Sequence, residues 1–486
     1  MRFNIRFLSA GLILWGYSNL SADAQTSADK FTLFKPVSAT YSNQEPIIPE
    51  GMKYDILFRE EFDLVKKADG TKVPARGSHD FTAYIPINGS SEHGLLYVSH
   101  EEHKWNDNLG DGGGATIFEL KKENGTWKTV GDFRHIDFSS VGGTMRNCGG
   151  ALTPHNTILT AEEIEPKNNA EIFNAVRDMS DFNGMPRYLN YGWVVEVDPM
   201  SGKAIKKLYG MGRFEHEDVH CSTDGKTVYL TDDASPAIIY KFVADQKGDY
   251  SKGQLYAYRQ SADGESGDWL TLPMQMDSLL NTREVALRRG ATMFIRHEWI
   301  DEANGKIYIS ETGNASFNWD EAIAIGGKPA KHFQRLKKEG NNYEDPFGRM
   351  LELDIATNKL RVFVEGGISK DSTINFSAPD GLSVLNSGGK SYLAINEDGN
   401  STMWVNKPGV NKKETYNEIF FIDQSLQNAT VNDLKMFMAG PRGCETTGGT
   451  FTPDGKTYFV SIQHPDTNNA APFNRSLIAA ITGFNQ

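Results

Sequence analysis

Cysteine is scarce in this chain of 486 residues: Cys148, Cys221 and Cys444 are all there is. An odd number leaves at least one thiol without a partner in the chain, which excludes a scaffold of several disulfides; Cys148 is the candidate free thiol, and the pairing of Cys221 with Cys444 stays open. Basic residues are also in deficit, 50 Lys and Arg against 63 Asp and Glu, for a formal net charge of −13. Bulk charge of that sign excludes binding to nucleic acid by attraction to phosphates. An anionic small molecule fits as a partner only where local cations, such as bound metal ions, reverse the field. No apolar run reaches the ~20 residues that a bilayer span requires, so no integral membrane segment is expected.

What the N-terminus does have is a signal peptide pattern at residues 1–24. Arg2 and Arg6 make a basic start, Phe7 to Trp15 an apolar stretch, and Ala22-Asp23-Ala24 a small-residue cleavage site. The mature chain is expected to begin at Gln25 and to be periplasmic or secreted. Hydrophobic residues make up 39% of the chain, enough for a sizeable core. No low-complexity linker divides the rest of the chain, so residues 25–486 are expected to form one domain.

Six stretches repeat a common pattern, a turn and then a β-rich run that ends in polar residues. They are Gly94 to Ser99 before His100-Glu101-Glu102, Asn156 to Ala161 before Glu162-Glu163, and Gly225 to Thr231 before Asp232-Asp233. Gly305 to Ser310 before Glu311, Gly389 to Ile395 before Asn396-Glu397-Asp398, and Gly455 to Ile462 before Gln463-His464 complete the set. Six such hairpins imply six sheets, and a propeller is the architecture that brings equivalent strand ends to one mouth of a central channel. The repeats are longer than the about 40–50 residues of a four-stranded blade. An all-β, six-bladed β-propeller with long loop insertions over one face is therefore expected. Residues 166–190, 258–289 and 319–343 are the polar excursions that would roof the mouth. Tyr54 to Phe58 or Phe81 to Ile85 would supply the strand that closes the ring.

The chemistry centres on Arg146 to Glu163, where Cys148 sits in a glycine-rich turn and Glu162 and Glu163 end the next strand. Thiolate and carboxylate are both anionic metal donors. His216-Glu217-Asp218-Val219-His220 fits the His-Glu-x-x-His zinc pattern, but Cys221 to Gly225 comes at once and leads into a strand. The supporting helix which that motif needs is excluded, and Glu217 is left as a metal carboxylate near the channel. Arg296 and Glu298 lie on one face of a strand, so one can hold an anionic oxygen and the other a cation. Asp380, in the turn Ser377 to Gly381, and Glu445, among the glycines of Gly440 to Gly449, complete the candidates. Six carboxylates and a thiolate in one mouth are prohibitive unless multivalent cations neutralise them. Thiolate favours a transition metal and all-oxygen sets favour calcium, so the donors point to a mixed cluster.

These motifs, in this order, resemble the PhoX-type alkaline phosphatases. The resemblance rests on Asn147-Cys148-Gly-Gly through Thr153-Pro154 to Glu162-Glu163, on Tyr191 to Pro199 through Gly212-Arg213-Phe214 to His216-Glu217, and on Arg296-x-Glu298 and Pro379-Asp380. Glu445 through Pro453-Asp454-Gly455 to Gln463-His464-Pro465 completes it. The resemblance implies an exported propeller phosphatase that carries ferric iron (Fe3+) and calcium (Ca2+). Phosphate monoesters, with diesters as the further option, would be hydrolysed at those ions. Cys148 would ligate iron, and Glu162, Glu163, Glu217, Glu298, Asp380 and Glu445 would share the iron and calcium. Arg296 would hold the substrate phosphate. His155-Asn156 stands where the family has Trp-Gly, an expected difference in the wall beside the site. A monomer is expected. Two other readings compete: a calcium-dependent propeller hydrolase of lactones or esters, which needs no iron and no Cys148, and a non-catalytic propeller whose ions are structural.

Overall fold

In the computed structural model, which describes residues 31–39, 41–399 and 416–484, the six repeats are the second strands of six antiparallel sheets. Each sheet starts with an inner strand: His79–Pro86, Asn147–Leu152, His216–Cys221, His297–Ala303, Pro379–Ser387 and Glu445–Phe451. Each inner strand pairs with the next in sequence, which are His93–His100, Ile158–Glu162, Thr227–Asp232, Lys306–Glu311, Lys390–Glu397 and Thr457–Gln463. Every inner strand touches the inner strands on either side, so the ring closes. The fold is a six-bladed β-propeller. The expected signal peptide at 1–24 lies outside the described residues.

Closure uses the N-terminal strand. Lys53–Arg59 pairs antiparallel with Leu477–Thr482, and so becomes the outer strand of the sixth blade beside Thr457–Gln463 and Glu445–Phe451. Of the two expected closing segments, the one around Tyr54 to Phe58 takes this place. Phe81 to Ile85 instead belongs to the inner strand of the first blade. The blades are cemented by apolar side chains between sheets. The cluster that includes Leu159, Val194, Leu230, Phe242 and Ile309 joins blades two, three and four, at a gain of about 25 cal/mol per Å² of apolar surface buried.

Because the second strand runs antiparallel to the inner one, it ends where the inner strand begins. All six second strands therefore end on one face of the propeller, at residues 100, 162, 232, 311, 397 and 463, and the connections 101–114, 163–193, 233–239, 312–348 and 464–476 leave from there. The opposite face carries the short first-to-second turns, such as 304–305 and 388–389. Of the expected excursions, 258–289 is a correction: it opens in the outer strands of the third blade, Asp249–Gln260 and Gly267–Thr271, and continues through the short helices Met276–Leu279 and Thr282–Arg288. The other two, 166–190 and 319–343, stand on the mouth face. Residues 331–335 form a short 3-10 helix there. Among the described residues, no helix is long and apolar enough to cross a membrane.

Candidate active site and metal centre

The site repeats six times around the axis. One residue at the start of each inner strand faces the mouth: Asp80, Cys148, Glu217, Glu298, Asp380 and Glu445. In the first five blades the ladder slips at that residue, between His79 and Thr82, Asn147 and Gly150, His216 and Val219, His297 and Ile300, and Pro379 and Leu382. A bulge re-aims the side chain it displaces, here toward the axis. The residue two positions earlier has positive φ in five blades: Ser78 48°, Arg146 44°, Arg296 44°, Ala378 49° and Gly443 79°. Four of those five are not glycine, and such strain is held only where the surroundings fix it.

A second ring lies just outside the first. It is formed by the residues immediately after the second strands, Glu101, Glu163, Asp233, Thr312, Asp398 and His464. The backbone locks the two rings together. The N–H groups of Glu101, Glu163, Asp233, Thr312 and Asp398 donate to the carbonyls of Ser78, Arg146, Glu215, Arg296 and Ala378, at 2.9–3.1 Å. Within these rings four sets of donor atoms lie inside 4.8 Å of one another: Asp80, Glu101 and Cys148; Cys148, Glu163 and Glu217; Glu217, Glu298 and Asp380; and Glu101, Glu445 and His464. The Cys148 Sγ is 3.3 Å from a Glu163 oxygen.

Burial and mutual repulsion set the electrostatics. Burial first, then neighbouring carboxylates, raises Glu217, Glu298, Asp380 and Glu445 well above the usual carboxylate range. The same causes raise Asp80 to about 8 and push the Cys148 thiol up. Glu163 is raised by burial in spite of Arg146, whereas for Glu101 burial is outweighed by Arg146 together with His464 and a hydrogen bond with Glu163, and the group is lowered. Two guanidiniums answer this charge. Arg296 reaches Asp233 at 3.0 Å and Glu298 at 2.9 Å, and Arg146 reaches Glu101 at 2.9 Å and Glu163 at 2.5 Å.

Cys148, Glu163, Glu217, Glu298, Asp380 and Glu445 are brought together as the sequence reading expected, with Arg296 beside them. Glu162 is a correction. Adjacent strand residues face opposite ways, so with Glu163 in the mouth Glu162 turns into the blade. There it meets Lys207 Nζ at 2.9 and 3.1 Å and accepts the N–H groups of Gly192 and Trp193. Asp232 and Glu311 occupy the same position in the third and fourth blades, and they are likewise clamped by Arg283 and Arg349. His155-Asn156 is a second correction. It lies in the turn after Leu152, at the far end of the inner strand from Cys148, and packs near Gly225 and Gly248. The mouth wall is untouched by it. Sequence reasoning missed Asp80 and left Glu101 and His464 unassigned. The offset from the inner-strand start would have found Asp80, since His79-Asp80 aligns with His216-Glu217 and His297-Glu298.

A family model described as alkaline phosphatase PhoX matches residues 32–466. The chain belongs to the PhoX alkaline phosphatase family. Members are phosphoric ester hydrolases, and the six-bladed fold agrees with a solved relative. PhoX from Pseudomonas fluorescens, in complex with vanadate as a transition-state analogue, superposes with a TM-score of 0.72 at 23% identity, covering 93% of this chain and 98% of that one. Trypanosoma rangeli sialidase (TM-score 0.39, 10% identity, 90% of this chain and 59% of that one) and a putative 6-phosphogluconolactonase from Bacteroides fragilis (TM-score 0.37, 13% identity, 89% and 94%) are too distant to bear on function. No curated protein matches the sequence significantly.

The donors in the PhoX-type mouth fit a metal cluster. Seven carboxyl groups, one thiol and one imidazole lie in overlapping sets of three, while the two arginines are the guanidiniums bound to them. So many buried anions are stable together only when neutralised by protons or by multivalent cations.

Proposed function

We propose that this PhoX-family phosphatase hydrolyses phosphate monoesters at an iron and calcium cluster held in the propeller mouth. The observation that carries the reading is the ring of inner-strand starts, where five carboxylates and one thiol occupy equivalent positions around one axis. Cys148, with Asp80, Glu101, Glu163 and Glu217 within reach of it, offers the thiolate-containing set that suits iron. Glu217, Glu298 and Asp380 form an all-oxygen set that suits calcium. When bound, these ions supply Lewis acidity and positive charge for phosphoryl transfer.

The chain's own residues then position the ester. Arg296 is held by Asp233 through Nε and Nη2 at 3.0 and 3.2 Å, which fixes the guanidinium plane. Its Nη1 has no partner among the described residues, which leaves that edge to donate to a phosphoryl oxygen. Glu298 takes the same Nη2 at 2.9 Å, so the cation and a metal carboxylate are placed by one contact. The loops at 163–193 and 312–348 stand on the mouth face beside it. Diesters are the further substrate option. The mature chain is inferred to be a single exported domain from residue 25, periplasmic or secreted, acting as a monomer.

The test is release of phosphate from an aryl phosphate by the mature protein and by Arg296→Gln. The reading expects turnover in the wild type and a loss of about 10- to 100-fold in kcat/KM in the variant, the worth of one charge-assisted contact. No phosphate release by the metal-loaded wild type would overturn it.

A further inference from the structure

We propose that Arg146 is a second phosphate-binding guanidinium, facing Arg296 across the third blade so that the phosphoryl group is held from two sides. The inference rests on the phosphatase reading above. It comes from the internal symmetry of the propeller. Arg146 and Arg296 both stand two residues before the mouth-facing residue of their inner strands, Cys148 and Glu298. Both have φ of 44°, a left-handed conformation that an arginine adopts only under constraint. Both carbonyls accept the N–H of the second-ring residue of the same blade, Glu163 and Thr312, at 3.0 Å. The two side chains therefore leave equivalent backbone positions in equivalent directions.

Their anchoring is also alike. Arg146 spends Nη2 on Glu101 and Glu163, and Arg296 spends Nε and Nη2 on Asp233 and Glu298. Neither Nη1 has a partner among the described residues, and the buried Nε of Arg146 has none either. A buried N–H donor without an acceptor is costly, and a tetrahedral oxyanion supplies several acceptors at once. The side chains are 31% and 26% exposed, so neither is sealed from solvent. No other blade repeats the arrangement. The equivalent residues are Ser78, Glu215, Ala378 and Gly443, and Glu215 is occupied by Arg283 at 3.4 Å. Glu163 and Glu217 form the arc between the two cations, linked through the donor sets they share with Cys148 and with Glu298 and Asp380. A phosphoryl group seated over that arc meets a guanidinium on each flank.

The test titrates inorganic phosphate calorimetrically into the metal-loaded mature protein, into Arg146→Gln, Arg146→Lys and Arg296→Gln, with iron and calcium measured in each sample. Arg146→Gln is expected to weaken phosphate binding about 10- to 100-fold, as Arg296→Gln does, with metal content unchanged. Arg146→Lys should recover part of the loss, since it restores charge without the planar fork. Phosphate affinity of Arg146→Gln within twofold of wild type would overturn the inference. So would a loss of iron or calcium in step with affinity, because Arg146 would then serve only to hold Glu101 and Glu163. Wild type that neither binds phosphate nor releases it from an aryl phosphate would sink the phosphatase reading itself. Weakening in Arg296→Gln alone would sink only the second guanidinium.

Discussion

Replacing Glu162 by Gln should destabilise the protein and leave its metals in place. Glu162 and Lys207 are 0% and 1% exposed, with the ammonium 2.9 and 3.1 Å from the two carboxylate oxygens. Removing the carboxylate charge leaves Lys207 buried beside a neutral amide, and breaking a buried pair in this way costs about 3–5 kcal/mol. Lys207 also donates to the Asn190 carbonyl, which retains part of its solvation and puts the expectation at the lower end. The double variant Glu162→Gln with Lys207→Met removes both charges and should recover most of the loss. Urea unfolding of the mature protein, monitored by tryptophan fluorescence, measures the difference through the midpoint and slope. Metal analysis of the same samples supplies the second reading, and Glu163→Gln is the contrast: it should lose metal. Glu162→Gln that kept its stability but lost iron or calcium would show Glu162 to be a ligand, and would refute the division of the two glutamates between blade and mouth.

The same geometry sets three further outcomes. In metal-stripped protein, carboxyls such as Glu217, Glu298, Asp380 and Glu445 are raised by burial and repulsion; groups with raised folded pKa favour the native state at low pH and oppose it as pH rises through that pKa. Chelated protein should therefore lose stability from mildly acid to alkaline pH, while the metal-loaded form stays flat, as thermal melts across pH would show. On the opposite face, burial pulls His220 down, but its hydrogen bonds to Asp301 and Glu302 outweigh this and raise it to about 9. That contribution is full below the unfolded value of ~6.5 and fades as pH rises through 9, so His220→Gln should flatten the alkaline fall of the melting temperature. Asp80→Asn should lower iron content, because Asp80 shares a donor set with Cys148 and Glu101; unchanged iron would remove it from the cluster.

The second strands were legible because each is a buried run opened by a turn, as in Gly225-Lys-Thr-Val-Tyr-Leu-Thr and Gly305-Lys-Ile-Tyr-Ile-Ser. Their polar endings marked the mouth. The inner strands were harder to read. Asn147-Cys-Gly-Gly-Ala-Leu and Glu445-Thr-Thr-Gly-Gly-Thr-Phe line a channel rather than a core, so their residues are small and polar and the bulges break the alternation. Asp80 was hidden for that reason, in a segment whose strand character was read only from Phe81 onward. Glu162 was misplaced although the rule of alternation was sufficient to separate it from Glu163. The partner that claims it, Lys207, is 45 residues away in sequence, and nothing local announces the pair. Arg296 was legible from its spacing to Glu298, which it meets at 2.9 Å, although it precedes the strand in a left-handed conformation and does not lie on the strand's face. Arg146 needed the alignment of blades in space, where its backbone conformation matches that of Arg296.

The most direct test is elemental analysis of the mature protein and of Cys148→Ala, paired with phosphate release from an aryl phosphate before and after chelation. Iron and calcium bound to the wild type, phosphate release that chelation abolishes, and loss of both iron and activity in Cys148→Ala are the expected results. Calcium without iron, or phosphate release that persists in Cys148→Ala, would contradict a thiolate-held iron at the centre of the mouth.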